Sequence, residues 1–459
     1  MLKKFSYLLL AVILVALLYS ANYLSSVLSA GSGFSAKNIC SGHFLSGMSG
    51  QLIVDEALTA SSPVLSNISY RIDEINRLVD TRLFGFFKRR AIYSEGTGCT
   101  LLTADQDQLQ RQPTKPAKAA RTSQGQPWPL GSAPAPQEVR LQPVLAQAFA
   151  ETDAQHKRNT KAVVVIHNGR LVAEQYAHGV DAATPLIGWS MTKSVTNMLI
   201  GALIQDGKLA LEQPAPVPEW HLETADPRRA ITIDHLLRMS SGLVFDEDYA
   251  LYSDVTRMLS VEADAGGFAA SKPLLVAPDN LWSYSSGTSN ILSGIVKRTV
   301  GGDFQDYYDY TQQRLFLPLG IHSAALETDN NGTFIGSSYM YASARDWARL
   351  GQLCLQDGQW QGNRLLPEGW LAYSTTPTPN NPKNNYGAHF WLNADPEDGQ
   401  QRTWPSLPVD TYSMNGYQGQ HVIIVPSRNL VVVRLGFSGG TNRGVEALVA
   451  GVIATLAAG

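Results

Sequence analysis

Apolar residues run almost unbroken from Phe5 to Leu24, and Lys3 and Lys4 come directly before them. This run approaches the length of about 20 residues that an α-helix needs to cross a bilayer. Basic residues ahead of such a segment place the N-terminus in the cytoplasm and the rest of the chain across the membrane. The pattern predicts a signal peptide or a membrane anchor over residues 1–25, and Leu28 to Gly31 offers only a weak cleavage site.

Alternating and helical patterns farther along the chain predict one antiparallel sheet with helices. Ala162 to Tyr176 alternates around Asn168-Gly169, a dipeptide typical of a two-residue hairpin turn. His421 to Val425 and Leu430 to Leu435 form a second predicted hairpin. Apolar residues at helical spacing predict helices over 191–203, 291–296, 347–355 and 444–457. Strands from both ends of the main domain indicate an α/β fold of the α+β type, with a mainly helical region from about 208 to 385.

The region between the apolar segment and the sheet carries weaker patterns. Residues 26–103 are predicted to form an accessory unit, in which Asn67 to Phe87 is mixed and partly helical and Arg89 to Tyr93 is a strand. Over 104–138 the composition shifts to Gln, Pro, Ala and Ser, which is typical of an extended linker. The main domain is therefore expected over 139–459.

Three cysteines are present, and two of them lie in the accessory unit. An oxidising compartment would permit a disulfide between Cys40 and Cys99, which would tie the start of this unit to its end. Two unpaired thiols are the alternative. Cys354 lies within a helical pattern and is expected to be a small core residue.

Composition excludes several classes of function. The chain has 459 residues, of which 44% are hydrophobic, enough for a large core. Its 36 basic and 39 acidic residues give a net charge of −3, without the basic surface that nucleic-acid binding requires. The nine histidines are scattered and form no zinc motif. We therefore expect no metal, no cofactor and no nucleic-acid partner, and the oligomeric state stays open.

Ser190 and Lys193 stand at the start of the first helix of the main domain. Residues three apart share a helix face, so the lysine amine can reach the serine hydroxyl. Burial would lower the pKa of the lysine enough for the neutral amine to accept the serine proton. An ordinary serine-initiated helix is the alternative, because about one such pair is expected by chance. The surrounding residues lack the second glycine of a Gly-x-Ser-x-Gly elbow, which excludes an α/β-hydrolase.

Two later segments supply partners for this pair in a plausible order. Trp282-Ser283-Tyr284-Ser285-Ser286 comes directly before a predicted helix. Gly416-Tyr417-Gln418-Gly419-Gln420 opens a predicted strand, and its glycines allow the backbone to approach a reacting carbonyl closely. The N–H groups of Gln420 and Ser190 are expected to form an oxyanion hole. A tyrosine packed at a helix start and a plain hairpin turn are the alternatives.

Together the three segments resemble the motifs of the serine β-lactamase-like hydrolases, especially the branch of 6-aminohexanoate-dimer hydrolases and related esterases. The resemblance covers about Pro143 to the C-terminus. It includes two scaffold segments, Ile231 to Leu243 and Tyr341 to Gly351. It implies a β-lactamase/transpeptidase-like fold, with an antiparallel sheet flanked by helices.

The resemblance also implies roles for individual residues. Ser190 is expected to be the nucleophile, Lys193 the base and Tyr284 the general acid/base. The other motif residues are predicted to bind substrate: Ser286, Tyr417, Gly419 and Gln420.

This chain departs from the β-lactamases at two of these positions. Ser286 stands where they have Asn, and Tyr417 stands where they have Lys or His. Without a cation at the second position, short esters or small linear amides are favoured over β-lactams, unless Arg402 or Arg434 supplies the charge. A β-lactamase, a DD-peptidase-type enzyme and a non-catalytic penicillin-binding sensor are the alternatives. We expect a periplasmic enzyme that is anchored in the inner membrane or exported after signal cleavage.

Overall fold

The computed structural model of the chain is described over most of its length. The described residues are 2–103, 106, 108–109, 125–131, 133, 137–151, 153, 157–249, 252–396, 399–439 and 444–458. Most of the predicted linker, 104–138, lies outside them. Its described part is not an exposed tether, because Trp128 is buried and its indole N–H donates to the Arg345 carbonyl.

One α-helix of 43 residues, Leu2–Phe44, begins the described chain and is named α1. Its first part is exposed, as at Leu14 (56%) and Leu24 (57%), and its second part is buried from Ala30 onwards. By length and apolar composition α1 is able to cross a membrane. The predicted apolar segment and the start of the accessory unit are thus one continuous helix.

The described strands form a small accessory sheet, a large sheet, a three-stranded sheet and a two-stranded sheet. In chain order they are β1 Ile68–Asp73, β2 Leu78–Leu83, β3 Phe86–Ser94, β4 Gly98–Leu101, β5 Thr160–His167, β6 Arg170–Tyr176, β7 Leu186–Ile187, β8 Ala325–Leu326, β9 Met340–Ala342, β10 Gln359–Trp360, β11 Asn363–Arg364, β12 Trp391–Leu392, β13 Tyr412–Gly416, β14 Gln420–Val425 and β15 Leu430–Gly436. The large sheet has the order β12-β13-β14-β15-β5-β6, so strands from both ends of the main domain lie side by side. This confirms the predicted antiparallel sheet.

The α-helices pack against the large sheet, against the accessory sheet or against one another. They are α1, α2 Gly50–Leu52, α3 Thr59–Ser61, α4 Gln142–Phe149, α5 Met191–Gln205, α6 Ile233–Leu237, α7 Asp254–Ser260, α8 Ala265–Ala270, α9 Ser286–Val300, α10 Phe304–Thr311, α11 Leu317–Leu319, α12 Ala344–Leu355, α13 Trp370–Ser374 and α14 Val445–Ala457. The four predicted helices are α5, α9, α12 and α14. Both predicted hairpins are present as well, and Asn168 and Gly169 have the positive φ angles that their turn requires.

The prediction of partly helical structure over Asn67–Phe87 was wrong. This segment contains β1 and β2 of a four-stranded antiparallel sheet, β1-β2-β3-β4. Val79, Thr81 and Leu83 alternate with more exposed residues and face α1, and this alternation of period two makes the segment a strand. The predicted Cys40–Cys99 disulfide is confirmed, and it joins α1 to β4.

A buried charge pair fastens α1 to the main domain. Lys37 on α1 donates to the carboxylate of Glu327, which follows β8. The same carboxylate accepts from the Ser41 hydroxyl at 2.7 Å and from the Cys99 backbone N–H at 2.6 Å. A buried charge is stable only when it is paired and hydrogen-bonded, so this cluster specifies one way of docking the accessory unit.

Candidate active site

Ser190 lies at the N-terminus of α5, at the edge of the large sheet. An ordinary serine at this position turns its hydroxyl onto the first-turn N–H groups. Ser190 instead has helical backbone angles, φ −63° and ψ −8°, and its side chain makes no capping bond to the described backbone of α5. Its hydroxyl is thereby left for Lys193, whose Nζ lies 3.2 Å from Oγ.

Lys193 is fully buried, with its amine held by three oxygen atoms. Besides Ser190, Nζ donates to the Ser286 hydroxyl and to the Ser337 carbonyl, both at 3.0 Å. Burial lowers the pKa of Lys193 to about 8, although the negative charge of Glu247 acts in the opposite direction. A substantial fraction of the amine is therefore neutral near physiological pH, as a base for Ser190 requires.

Tyr284 completes a triangle with these two residues. Its hydroxyl is hydrogen-bonded to Ser190, and Lys193 Nζ lies 4.8 Å from the centre of its ring. The rings of Tyr386 and Trp391 pack against it with centres 5.7 and 5.5 Å away. Burial, together with the nearby Glu247 carboxylate, raises the pKa of Tyr284. The phenol thus keeps its proton and is able to pass it between the serine and a leaving group.

Ser286 lies beneath Lys193 and is fully buried. Its Oγ accepts from Lys193 and donates to Glu247 Oε1 at 2.6 Å, while its backbone N–H donates to Glu247 Oε2 at 2.7 Å. This position suits support of the base more than contact with a substrate. The Glu247 carboxylate is thus linked to Lys193 through a single hydroxyl.

Sequence reasoning missed Glu247 and its neighbour Tyr249. The Tyr249 hydroxyl contacts Glu247 at 2.9 Å and the Ser286 hydroxyl at 3.3 Å, although 55% of the residue is exposed. Both residues lie in an acidic segment directly after the scaffold motif that ends at Leu243. The only local signal was this acidic segment itself, which carries no catalytic spacing.

Backbone at Gly416 meets the loop that carries the nucleophile. A side chain at this position would lie 2.1 Å from the Gly188 carbonyl oxygen, so only glycine fits. Gln420 pairs with Gly416 on the adjacent strand and is therefore one strand farther from Ser190. Tyr417 follows Gly416 and is 39% exposed, with its ring edge-to-face on Trp189 at 6.0 Å.

The residues that follow Tyr417 in this segment are directed into the protein. The Gln420 amide donates to the carbonyls of Tyr417 and Gln418 and also bonds to Gly436. Gly419 has φ +81°, and its carbonyl accepts from Arg434 at 2.8 Å. These contacts shape the turn that presents Tyr417.

Arg402 and Arg434, the two candidate cations, lie in structural contacts, and so does His421, which follows Gln420. Arg434 is buried and donates to several carbonyls behind the turn, and Arg402 forms an ion pair with Asp395. His421 bonds to Asn415 within the sheet. In the described part of the chain, no group of three or more His, Cys, Asp or Glu residues is arranged to hold a metal ion.

The main domain is similar in sequence to known proteins. The sequence model of the Beta-lactamase family matches residues 145–450. The 6-aminohexanoate-dimer hydrolase of Paenarthrobacter ureafaciens is 25% identical over 295 residues, which cover 60% of this chain and 72% of that enzyme.

Solved structures agree on the fold. EstCE1, a hydrolase with promiscuous acyltransferase activity, has a TM-score of 0.55 and 17% identity, and the match covers 69% of this chain and 98% of EstCE1. A penicillin-binding protein from Bacillus halodurans has a TM-score of 0.50 and 17% identity, with 70% of this chain and all of that chain covered (100%). These likenesses confirm the predicted β-lactamase/transpeptidase-like fold.

Proposed function

The chain belongs to the β-lactamase family of serine hydrolases, and from this premise we propose that it hydrolyses esters or small linear amides through an acyl-enzyme on Ser190. The observation that carries the proposal is the hydroxyl of Ser190, which is shared between the buried amine of Lys193 and the phenol of Tyr284. A nucleophile beside a base of lowered pKa and a protonated acid is the arrangement that acyl transfer needs.

In the acylation step, neutral Lys193 accepts the Ser190 proton as Oγ attacks the substrate carbonyl. The Ser190 N–H and backbone N–H at the Gly416–Tyr417 turn are suited to bind the oxyanion, because Gly416 lies against the nucleophile loop. Tyr284 then delivers its proton to the leaving alcohol or amine, and the proton that Lys193 took from Ser190 restores the phenol and leaves the amine neutral again. A water molecule attacks the acyl-enzyme in the second step, and Oγ regains its proton as the acid is released.

The mouth of the site favours uncharged substrates. Tyr417 is presented there as an aromatic surface beside Trp189, and the cations Arg402 and Arg434 are engaged in the contacts described above. Charge-assisted contacts to a substrate carboxylate are about twice as strong as neutral ones, and these two arginines are already engaged elsewhere. The similarity to a 6-aminohexanoate-dimer hydrolase supports the inclusion of linear amides.

Intact-mass spectrometry after a fluorophosphonate probe tests the nucleophile. The wild-type chain should gain one adduct, and Ser190→Ala should gain none and lose all ester hydrolysis. Ser427→Ala, a surface serine, is the matched control and should label as wild type. Labelling of Ser190→Ala would contradict the assignment. With a β-lactam probe followed over time, a permanent adduct and no ester turnover would indicate a receptor instead of an enzyme.

We also propose that the catalytic domain is exported and anchored by α1. The apolar first part of α1 continues without a break into the disulfide-bonded core, and a disulfide suits an oxidising compartment. Fractionation with peptide mapping of the mature N-terminus tests this proposal, because a soluble protein that lacks residues 5–24 would contradict it.

A further inference from the structure

The membrane segment and the folded core share one rigid element. Phe5 (70%), Leu14 (56%) and Leu24 (57%) of α1 are exposed, whereas Ala30 is already buried. Only a few helical residues separate the apolar part from the core, so no flexible linker lets the domain move freely above the bilayer. The height of each catalytic group above the membrane is therefore set by the point along α1 that the group's surroundings contact.

An exposed aromatic turn lies at the level where α1 leaves the core. It joins β2 to β3 and consists of Phe84, Gly85, Phe86 and Phe87, named here the aromatic tip. The preceding strand contacts α1 at Ser32, through Thr81, and at Gly31, through Leu83. The far end of β3 lies at the other end of α1. The aromatic tip therefore points along the helix toward its apolar part.

The far end of the sheet confirms this direction. The ring of Tyr93, near the end of β3, packs on Phe44 with centres 5.4 Å apart. Phe44 ends α1, 13 residues beyond Gly31 in the direction away from the membrane segment. The turn between β1 and β2, which includes Ile75, lies beside Tyr93, because the Tyr93 N–H donates to the Arg77 carbonyl. This turn thus occupies the opposite end of the sheet from the aromatic tip.

The aromatic tip has the composition of a membrane-interface contact. Phe84 is 49% exposed and Phe86 is 68% exposed, and Lys88 follows with 41% of its side chain exposed. Phe84 and Phe87 have φ angles of 52° and 53°, a conformation that L-residues adopt at some cost in energy. Aromatic rings beside a lysine suit the headgroup boundary, where rings enter the apolar layer and the ammonium stays in water.

Two sets of contacts, close together in sequence, lie at this same level and at the catalytic lysine. Tyr252 contacts Tyr23 of α1 edge-to-face, with ring centres 6.4 Å apart. Tyr23 lies at the end of the apolar run, where tyrosines are typical of the bilayer interface. Glu247 and Tyr249 bond to Ser286 beneath Lys193. A contact at the membrane boundary and a contact at the active site are therefore made by residues that are close together in the sequence.

The height of the nucleophile follows from the helix. Phe34 of α1 stacks on Trp189, the residue before Ser190, with ring centres 5.9 Å apart. Phe34 comes ten residues after Leu24, so at 1.5 Å per residue Ser190 lies about 15 Å beyond the end of the apolar run. The headgroup layer extends only about 5–8 Å from the hydrocarbon. Ser190 is therefore within reach of an extended headgroup and beyond the reach of a glycerol ester.

We propose that the enzyme acts on membrane-held amphiphiles whose scissile ester or amide lies in the polar head, about 15 Å from the hydrocarbon. The aromatic tip contacts the lipid surface, and the apolar chain of the substrate stays in the bilayer. The bond from the acyl carbon to Ser190 Oγ forms as its bond to the leaving alcohol or amine breaks, and water then releases the acid. This inference rests on the proposed function.

Vesicles of phosphatidylcholine and phosphatidylglycerol that carry the full-length chain test the height. Three fluorogenic butyrate esters are compared: a soluble ester, a lipid-anchored ester with a spacer of about 15 Å, and a lipid-anchored ester without a spacer. We expect the spaced ester to be hydrolysed at least about tenfold faster than the ester without a spacer at equal surface density. Equal rates on the two anchored esters, or a faster rate on the one without a spacer, would overturn the inference.

Substitutions at the two ends of the accessory sheet test the lipid contact. Phe84→Ser with Phe86→Ser should lower hydrolysis of the spaced ester by about fivefold or more and leave the soluble ester within twofold of wild type. Ile75→Ser is the matched control, because Ile75 is 93% exposed at the opposite end, and it should change neither rate. Equal losses on both esters, or no loss on either, would overturn the inference.

The same assays separate failure of this inference from failure of the proposed function. If the wild-type chain hydrolyses the soluble ester but shows no preference for the spaced one, the proposed function stands and this inference is wrong. If the chain hydrolyses none of the three esters and is not labelled at Ser190 by a fluorophosphonate, both are wrong. Tryptophan fluorescence quenching by brominated lipids gives a readout independent of activity: Phe86→Trp should add quenching to the native signal and Ile75→Trp should not.

Discussion

The ring of Phe34 lies nearly parallel to the indole of Trp189, with centres 5.9 Å apart and planes inclined by 12°. Trp189 has a φ of 47°, which is unfavourable for a non-glycine residue, and it directly precedes the nucleophile. Tyr339 and Tyr417 pack on the same indole at 5.8 and 6.0 Å. The accessory unit thus helps to hold the strained residue that sets the position of Ser190.

Phe34→Leu should therefore impair catalysis more than folding. Loss of one aromatic pair is worth about 0.5–1.5 kcal/mol, so kcat/KM for a soluble ester should fall about 2–10-fold. Phe44→Leu is the matched control, because Phe44 lies on the same helix and packs on Tyr93 instead. Both variants should lose similar thermal stability, and only Phe34→Leu should lose activity. An equal loss of activity in the two would assign Phe34 a merely structural role.

The lowered pKa of Lys193 predicts the pH dependence of the reaction. The amine must be neutral to accept the Ser190 proton, and its neutral fraction rises as pH passes through its pKa of about 8. We expect kcat/KM to rise with pH, to reach half of its maximum near pH 8, and then to level off. Measurement with an uncharged ester between pH 6 and about 9.5 avoids titration of the substrate.

Glu247→Gln should move this pH profile toward acid. The Glu247 carboxylate stabilises the charged form of Lys193 and so raises its pKa. Its neutralisation should lower the midpoint of the profile while the Ser286 hydroxyl keeps a hydrogen-bond acceptor. Glu262→Gln, at a surface ion pair with Arg257, is the control and should leave the midpoint unchanged. A midpoint that stays fixed or moves toward alkali in Glu247→Gln would show that the carboxylate does not act on the base.

Tyr284→Phe tests the proton donor. Removal of a general acid/base group costs on the order of 10²-fold or more in rate, and the loss should appear in kcat more than in KM. Tyr386→Phe is the control, because that ring packs on Tyr284 and should retain activity within a few-fold of wild type. Activity of Tyr284→Phe near the wild-type level would remove the phenol from the mechanism.

Local signals made much of the fold predictable. The turn residues Asn168 and Gly169 specify a hairpin by their own backbone preferences, and Ser190 and Lys193 meet because a helix brings residues three apart together. These features need only a few consecutive residues to form. For the same reason, the two hairpins, the start of α5 and the contact between Ser190 and Lys193 could be predicted from the sequence alone.

Features that depend on register or on distant contacts were not predictable. Gly416 and Gln420 face each other across adjacent strands, so only the register decides which one meets the nucleophile loop. Glu247 reaches Ser286 from 39 residues away, and no spacing rule connects them. β1 and β2 have only six residues each, so their alternation, in which charged residues such as Asp80 and Arg82 take the outer positions, is a short signal. Their burial becomes evident only when α1 covers them.

The Cys40–Cys99 bond should stabilise the accessory unit against unfolding. It closes a loop with a sequence separation of 59, for which the chain-entropy estimate is about 4 kcal/mol. We expect a reducing agent to lower the free energy of unfolding of the wild-type chain by about 2–4 kcal/mol. The Cys40→Ala/Cys99→Ala variant should be equally destabilised and insensitive to reduction. Cys354→Ala, at the free buried thiol, is the control and should keep the redox dependence. Insensitivity of the wild-type chain to reduction would contradict the bond.

The exposed ring of Tyr417 is expected to determine which substrates the enzyme prefers. Its phenol ring is exposed at the mouth beside Trp189, where related β-lactamases present a cation to the substrate carboxylate. The wild-type chain should therefore show a higher kcat/KM for a p-nitrophenyl short-chain ester and for a linear aminohexanoate dimer than for a chromogenic cephalosporin. Tyr417→Lys should raise acylation by the cephalosporin by about tenfold, the size of one charge-assisted contact, and should not raise the ester rate. Tyr417→Phe keeps the ring without a charge and should raise neither rate. Preferred turnover of the cephalosporin by the wild-type chain would show that this mouth does recognise a carboxylate and that the chain is a β-lactamase.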